Sequence, residues 1–342
     1  MAAPGGASRG QDPAFGTGPL GGLVWAFRIG DDGVATELDP ERPLPGPDGD
    51  SWLWLHFNLA DARSGPVLQT LPGLPDDAVE ALVGPDTHQQ LQAERDCVYG
   101  VIADLGRDFD GLTEEVRLLH FAMTERGLVS ARRRALNAVD TTRQALRSGQ
   151  RVESVAALFE LIVDHVADAI DRLSDDLALQ MDAIEERILD LETTDERRRL
   201  GVFRRTTVRL HRQLAGLRSL FRRFEALEPE ELSPALRLDA GRLSQRLDGL
   251  DQEIDALRDR ARMLQDELSS QLAEETNRNL RALSIVTIMF LPPTLIAGFF
   301  GMNLKGMAYA ESEVGFWSGV IVAVLSSAIV YAILRWRGLT RG

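Results

Sequence analysis

One cysteine in 342 residues leaves no internal disulfide and no thiolate metal cluster. That residue, Cys97, precedes the apolar run VYGVIADL and reads as a small buried hydrophobe. The five histidines (His56, His88, His120, His165, His211) are scattered, and no two stand four apart on one helix. A dry tetrahedral zinc site is therefore not expected, and each histidine reads as structural or surface. No GxxxxGK[ST] loop is present and no nucleophile with a flanking base is legible, which argues against an enzyme or an ATP-driven pump. Lys and Arg form no block that would track a nucleic-acid backbone, and the net charge of -14 suits a cationic partner. Met1 to Pro19 is rich in Gly, Ala and Pro without an apolar signal-peptide core, so residues 1–20 are expected to be a disordered tail.

What is present divides at about residue 150. Residues 21–150 carry short apolar segments of strand length: LVWAFRI, SWLWLHFN, CVYGVIADL, VRLLHFAMT and LVSARR. Asp76 to Leu82 reads as a short helix with acidic residues in its first turn. This is an α/β domain whose order of elements does not fix a topology. Residues 151–233 are helical instead. Leu158, Leu161, Ile162, Val166, Ile170, Leu173, Leu177, Met181, Ile184 and Ile188 recur at helical spacing over 155–190. The opposite face carries Asp164, Asp168, Asp171, Asp175, Asp182 and Glu185, either a solvated face or a carboxylate surface that concentrates cations. The segment 197–224 is basic, and the two are expected to pair as an antiparallel hairpin. Leu243, Leu247, Leu250, Ile254, Leu257, Ala261, Leu264 and Leu268 then form a heptad seam on a stalk, 234–281. Nothing interrupts the pattern from Ala235 to Leu291, which predicts a rod of roughly 85 Å.

The stalk runs into two apolar stretches of membrane-crossing length, 282–303 and 314–336, joined by a loop, 304–313, and followed by a short tail, 337–342. Trp317 and Trp336 lie about 28 Å apart along the second, close to the hydrocarbon thickness. Arg278 and Arg281 precede the first stretch, Arg335, Arg337 and Arg341 end the second, and the loop carries only Lys305. The bias predicts cytoplasmic termini and an external loop. Along the first span Asn277, Leu280, Ser284, Thr287, Leu291, Thr294, Gly298 and Gly301 recur at alternating three and four. This stripe reads equally as a helix-packing surface or as the wall of a pore with hydroxyls facing water and Leu280 as a hydrophobic constriction. Pro292-Pro293 can kink the span and free carbonyls that need partners.

Gly301-Met302-Asn303, closing an apolar span at the end of a long charged helix and followed by a second span with a basic tail, resembles the CorA superfamily of divalent-cation transporters. LPDDAVEALVGPDTHQQL (Leu74 to Leu91) and WLWLHFN resemble its zinc-transporting ZntB branch. The resemblance covers nearly the whole chain after the tail. It implies a homopentamer in the bacterial inner membrane, with a cytoplasmic funnel of α/β domains and stalk helices. It further implies a selectivity filter of Gly301, Met302 and Asn303, and a path inward past Gly298, Thr294, Leu291, Thr287, Ser284, Leu280 and Asn277. The implied activity is Zn²⁺ transport coupled to protons, with no resident cofactor and no nucleic-acid partner.

The chain departs from that branch after the tripeptide, where Leu304-Lys305-Gly306-Met307-Ala308 replaces two glycines and a proline. Five copies of Lys305 at a mouth would repel cations unless Glu311 and Glu313 offset them. The neighbouring alternative is a Mg²⁺/Co²⁺ channel of the CorA type. The alternative of another class is a membrane-anchored coiled-coil sensor, which predicts no polar stripe in the first span.

Overall fold

The computed structural model describes residues 18–46, 49–85, 88–94, 96–108, 111–189, 195–227, 232–302 and 313–337. The chain divides into two compact units, Met1–Arg262 and Met263–Gly342. The residues of the expected tail up to 17 lie outside the described ones.

The apolar segments of the first unit pair into one seven-stranded sheet. Its strands are β1 (Leu23–Ile29), β2 (Ala35–Leu38), β3 (Trp52–Asn58), β4 (Gln90–Glu94), β5 (Cys97–Asp108), β6 (Gly111–Thr124) and β7 (Gly127–Arg132), in the order β2-β1-β3-β7-β6-β5-β4. Every neighbouring pair is antiparallel except β3 and β7, which run parallel with Leu53 beside Gly127. Alternate residues serve opposite faces. Leu53, Leu55, Phe57, Tyr99 and Ala122 close with Leu68 and Leu82 over α1 (Ser64–Gln69) and α2 (Asp76–Val83). On the other face lie α3 (Asn137–Arg147) and the start of α4 (Val155–Leu189), where Phe121 meets Phe159 with ring centroids 4.2 Å apart. Helices on both faces of a mixed sheet agree with the α/β expectation. Cys97 is 2 % exposed, and burial pushes its thiol up to about 12, so it behaves as the small hydrophobe expected.

Two buried polar groups pin these layers. Asp104 on β5 accepts the backbone N–H of Ala138 at 2.9 Å and of Leu105 at 2.7 Å, fastening the first turn of α3 to the sheet. Burial raises its carboxyl to about 7. His56 on β3 stacks on Trp25 at 4.1 Å, while Arg143 of α3 sits over the Trp25 ring at 4.6 Å. Arg132 donates to His56 Nε2 at 3.1 Å, which leaves Nδ1 to donate to Ser130 Oγ at 2.8 Å. Burial, then Arg132 and Arg143, hold His56 well below its ordinary value and therefore neutral.

Four elements escape the sequence patterns. β2 and β4 are short strands at the two ends of the sheet, half-exposed and without apolar alternation. The six residues of α1 include Gly65 and Pro66, and α3 starts where the strand signals stop.

Beyond the sheet come α5 (Glu196–Leu227) and α6 (Ala240–Gly301), then α7 (Glu313–Trp336). Two expectations need correction. The stalk helix does not begin at Ala235: Pro234–Leu236 form a 3₁₀ turn with Leu236 buried. The Asp239 carboxylate accepts the N–H of Arg242 at 2.9 Å, so the capping residue sets the start of α6 at Ala240. α4 and α5 do lie side by side, as the hairpin expectation has it, but the guanidinium groups described on the acidic face of α4 come from α6. Arg242 of α6 reaches Glu160 and Asp164 at 3.1 Å each, Arg246 reaches Asp164 at 2.7 Å and also Asp168, and Arg260 reaches Asp182 at 2.7 Å and also Glu185. The other edge of α6 faces α5, with Arg218 on Asp251 at 2.6 Å and Arg222 on Asp248 at 2.5 Å. Leu243, Leu247, Leu250, Ile254 and Ala261 of the heptad seam are buried. Much of the carboxylate face on α4 is thus occupied by guanidinium groups.

Candidate ion pathway

In the second unit, α6 continues through Pro292 and Pro293 to Gly301 as helix, and α7 follows. Both stretches are long and apolar enough to cross a membrane, and almost none of either apolar window is buried. A core helix of a soluble protein would be covered.

The seam between α6 and α7 is visible in which side chains lose exposure. Ile285, Met289, Pro292, Pro293 and Ile296 are half-buried. They recur at four, three and four, one helical face. Ser284, Thr287, Leu291, Thr294 and Gly298 are exposed, and at about 100° per residue they point nearly opposite to that seam. The small and polar stripe is therefore not the surface on which α6 meets α7 within a protomer. Thr287 donates its hydroxyl to Leu283 O at 2.8 Å and Thr294 to Phe290 O at 2.7 Å. Each hydroxyl proton is thus spent inside the helix, and the oxygen lone pairs remain free to accept. An exposed row of neutral acceptors suits a cation that keeps most of its water better than one stripped to a tight ligand cage.

The second of the two prolines has a specific accommodation. Pro293 has no N–H for the carbonyl four residues back, that of Met289. Ser327 of α7 donates its hydroxyl to Met289 O at 3.3 Å. A polar contact at membrane depth thus replaces a missing backbone bond. Ser327 was not singled out from the sequence, because a serine within an apolar run carries no signal of its partner.

Of the remaining residues expected here, Asn277, Leu280, Gly301 and Met302 are exposed. The amide N–H of Met302 closes the helix end on Gly298 O at 3.1 Å. Thr287, Leu291, Thr294, Gly298 and Met302 line one open groove with Phe290, Leu295 and Phe299. Asn303, Lys305 and Glu311 lie outside the described residues, as does the side chain of Glu313 at the start of α7. Away from this pathway, the first unit brings His211 together with Asp251 and Asp255, a grouping that spacing along the chain does not suggest.

Comparison with known proteins agrees with this architecture. The profile of the family described as "CorA-like Mg2+ transporter protein" matches residues 49–336. The chain is 23 % identical to the zinc transport protein ZntB of Yersinia enterocolitica over 313 residues, 92 % of this chain and 94 % of that one. It is 27 % identical to the divalent cation transporter CmaX of Pseudomonas aeruginosa over 345 residues, 94 % of this chain and 99 % of that one. The solved structure of full-length CmaX superposes with a TM-score of 0.75 at 24 % identity, covering 93 % of this chain and 99 % of that chain.

Proposed function

The chain belongs to the CorA-like Mg²⁺ transporter family, and from that premise we propose that it carries Zn²⁺ through a homopentameric pore lined by the α6 stripe, with protons as the coupling ion. Family membership makes it a membrane protein that transports divalent cations, with C-terminal membrane helices, and not an enzyme. The observation that carries the pore reading is the orientation of the stripe. Ser284, Thr287, Thr294 and Gly298 turn away from the protomer's own second span, as residues facing a shared axis must. In this reading Gly301, Met302 and Asn303 form the outer ring, Leu280 and Leu291 are apolar constrictions, and Asn277 lies at the inner end. Glu311 and Glu313 offset Lys305 at the mouth. The absence of charge between Leu283 and Met302 fits selection by a ring of neutral oxygens. The zinc assignment is supported by the likeness to ZntB and tempered by the likeness to CmaX, whose name specifies only a divalent cation.

The second reading, a Mg²⁺/Co²⁺ channel, is favoured by the departure from the zinc branch after Asn303. Ion uptake into liposomes containing the purified protein separates the two. Zn²⁺ uptake that rises with an inward proton gradient supports the proposal; Mg²⁺ flux indifferent to the gradient replaces it with the channel. The proposed orientation, with both termini cytoplasmic, has its own test. Lys305 is the only lysine of the chain. A membrane-impermeant amine reagent added to intact cells should label it, and labelling of Lys305 only after permeabilisation would reverse the topology.

A further inference from the structure

We propose that His211, Asp251 and Asp255 bind one divalent transition-metal ion of the Zn²⁺ class, bridging α5 and α6 within a single protomer. His211 Nδ1 lies 2.9 Å from Asp251 Oδ1 and 3.2 Å from Asp255 Oδ1, and one atom from each of the three residues falls within 4.8 Å of the others. The two aspartates are four apart on α6, so they share a face, and His211 meets them from α5.

These distances fit two arrangements, a protonated imidazole between two carboxylates or three ligands around one ion. Directionality favours the second. His211 Nδ1, Asp251 Oδ1 and Asp255 Oδ1 are all enclosed and none makes an aligned hydrogen bond despite the short separations, although Asp255 Oδ1 also has the ion pair with Arg258. Asp251 is 3 % exposed, and an enclosed carboxylate oxygen without a hydrogen bond is uncommon in a native fold. An ion bound tetrahedrally through the ring nitrogen and two oxygens at about 2.0–2.2 Å would leave those atoms roughly 3.3–3.6 Å apart, with the oxygens off the axis of the nitrogen lone pair. The two nitrogen–oxygen separations, 2.9 and 3.2 Å, are slightly shorter, so an ion needs only a small opening of the group. Arg218 donates to the other oxygen, Asp251 Oδ2, at 2.6 Å and so holds Oδ1 toward His211, the support that metal-binding carboxylates usually have.

The surrounding charge indicates the class of ion. Arg218 offsets Asp251, and Arg258 lies 3.1 Å from Asp255 Oδ1. The site therefore has little excess negative charge to attract a hard cation such as Mg²⁺, which also takes oxygen rather than nitrogen. An ion that gains from imidazole ligation, such as Zn²⁺, Co²⁺ or Ni²⁺, is the better match. The site lies in the first unit, and its existence does not depend on which ion the pathway carries.

The test uses the full-length protein in detergent, with Zn²⁺ and Mg²⁺ as probes. Diethylpyrocarbonate modification of His211, read by peptide mass spectrometry, should be suppressed by Zn²⁺ and not by Mg²⁺. Titration calorimetry should then show one Zn²⁺ per chain lost or weakened in His211→Gln and Asp255→Asn. The weakening should be at least the roughly 10- to 100-fold that loss of a mere supporting residue costs. Equal modification of His211 with and without Zn²⁺ would overturn the proposal and leave an ion-paired histidine. So would unchanged Zn²⁺ binding in both variants. Because the modification is read on the wild-type chain, a variant that fails to fold still leaves the proposal open to refutation.

Discussion

The two units of this protein satisfy their side chains by opposite means. In the first, large apolar groups such as Trp54, Phe57, Phe121 and Phe159 are fully covered, and the charges of α4, α5 and α6 meet one another across the helices. In the second, Phe290 and Leu291 are each 63 % exposed and Trp336 is 86 % exposed, whereas Thr287 and Thr294 are served inside their own helix and Ser327 by a carbonyl of α6. A single chain therefore completes the first unit alone. The second is complete only in surroundings that accept apolar surface: lipid on one side and, in the proposed pore, further copies of α6 on the other. An exposed apolar surface of this extent is evidence about environment, and it would be a defect in the first unit.

Five substitutions sharpen that contrast. The largest effect is expected from Asn303→Ala, which should abolish cation flux in liposomes while leaving the size of the assembly in detergent unchanged; flux that survives would remove Asn303 from the filter. Next, Phe121→Ala should lower the stability of the first unit by about 3–5 kcal/mol through lost burial and a cavity. Phe290→Ala should leave that unfolding transition where it is, and equal losses at both positions would break the distinction between the units.

The next substitution turns on protonation. The folded-state value of Asp104, about 7, lies above its ordinary 3.8. Between those values the folded chain holds a proton that the unfolded chain has released. The contribution of Asp104 to stability is thus full below about pH 4 and falls as pH rises toward 7, by about 2–4 kcal/mol. In Asp104→Asn this component should vanish, and the difference in Tm between the two proteins should change across that window. A difference that stays constant with pH would mean that Asp104 does not titrate there. The smallest effect is expected at Ser327. Removing its hydroxyl should cost about 0.6 kcal/mol, typical of a polar contact between membrane helices. In a Pro293→Ala background, where the backbone N–H returns, the same change should cost nothing.

Most of the architecture could be read before any coordinates, for reasons visible at particular residues. Five of the seven strands announce themselves because they are apolar enough to be buried, and the helices of 155–190, 197–224 and 314–336 appear at nearly those bounds. What could not be read was local and polar. β2 and β4 lack an apolar rhythm, and Asp239 looks like any other acidic residue until its carboxylate is seen to cap α6. The charge pattern misled in a useful way. An acidic helix followed by a basic one suggests pairing of neighbours, and α4 and α5 do lie side by side, but the arginines described on the acidic face are Arg242, Arg246 and Arg260 of α6.

The sequence by itself determined the class of this protein. Length of apolar run, position of Gly301-Met302-Asn303 and helical periodicity are one-dimensional properties, and lipid and water act on them regardless of how the rest packs. Tertiary structure alone decided which groups meet across elements. It gave Ser327 to the carbonyl that Pro293 leaves open, turned the Ser284–Gly298 stripe away from α7, and brought His211 to Asp251 and Asp255. Such contacts join residues tens of positions apart, and their geometry is fixed by the packing of whole helices rather than by any spacing along the chain.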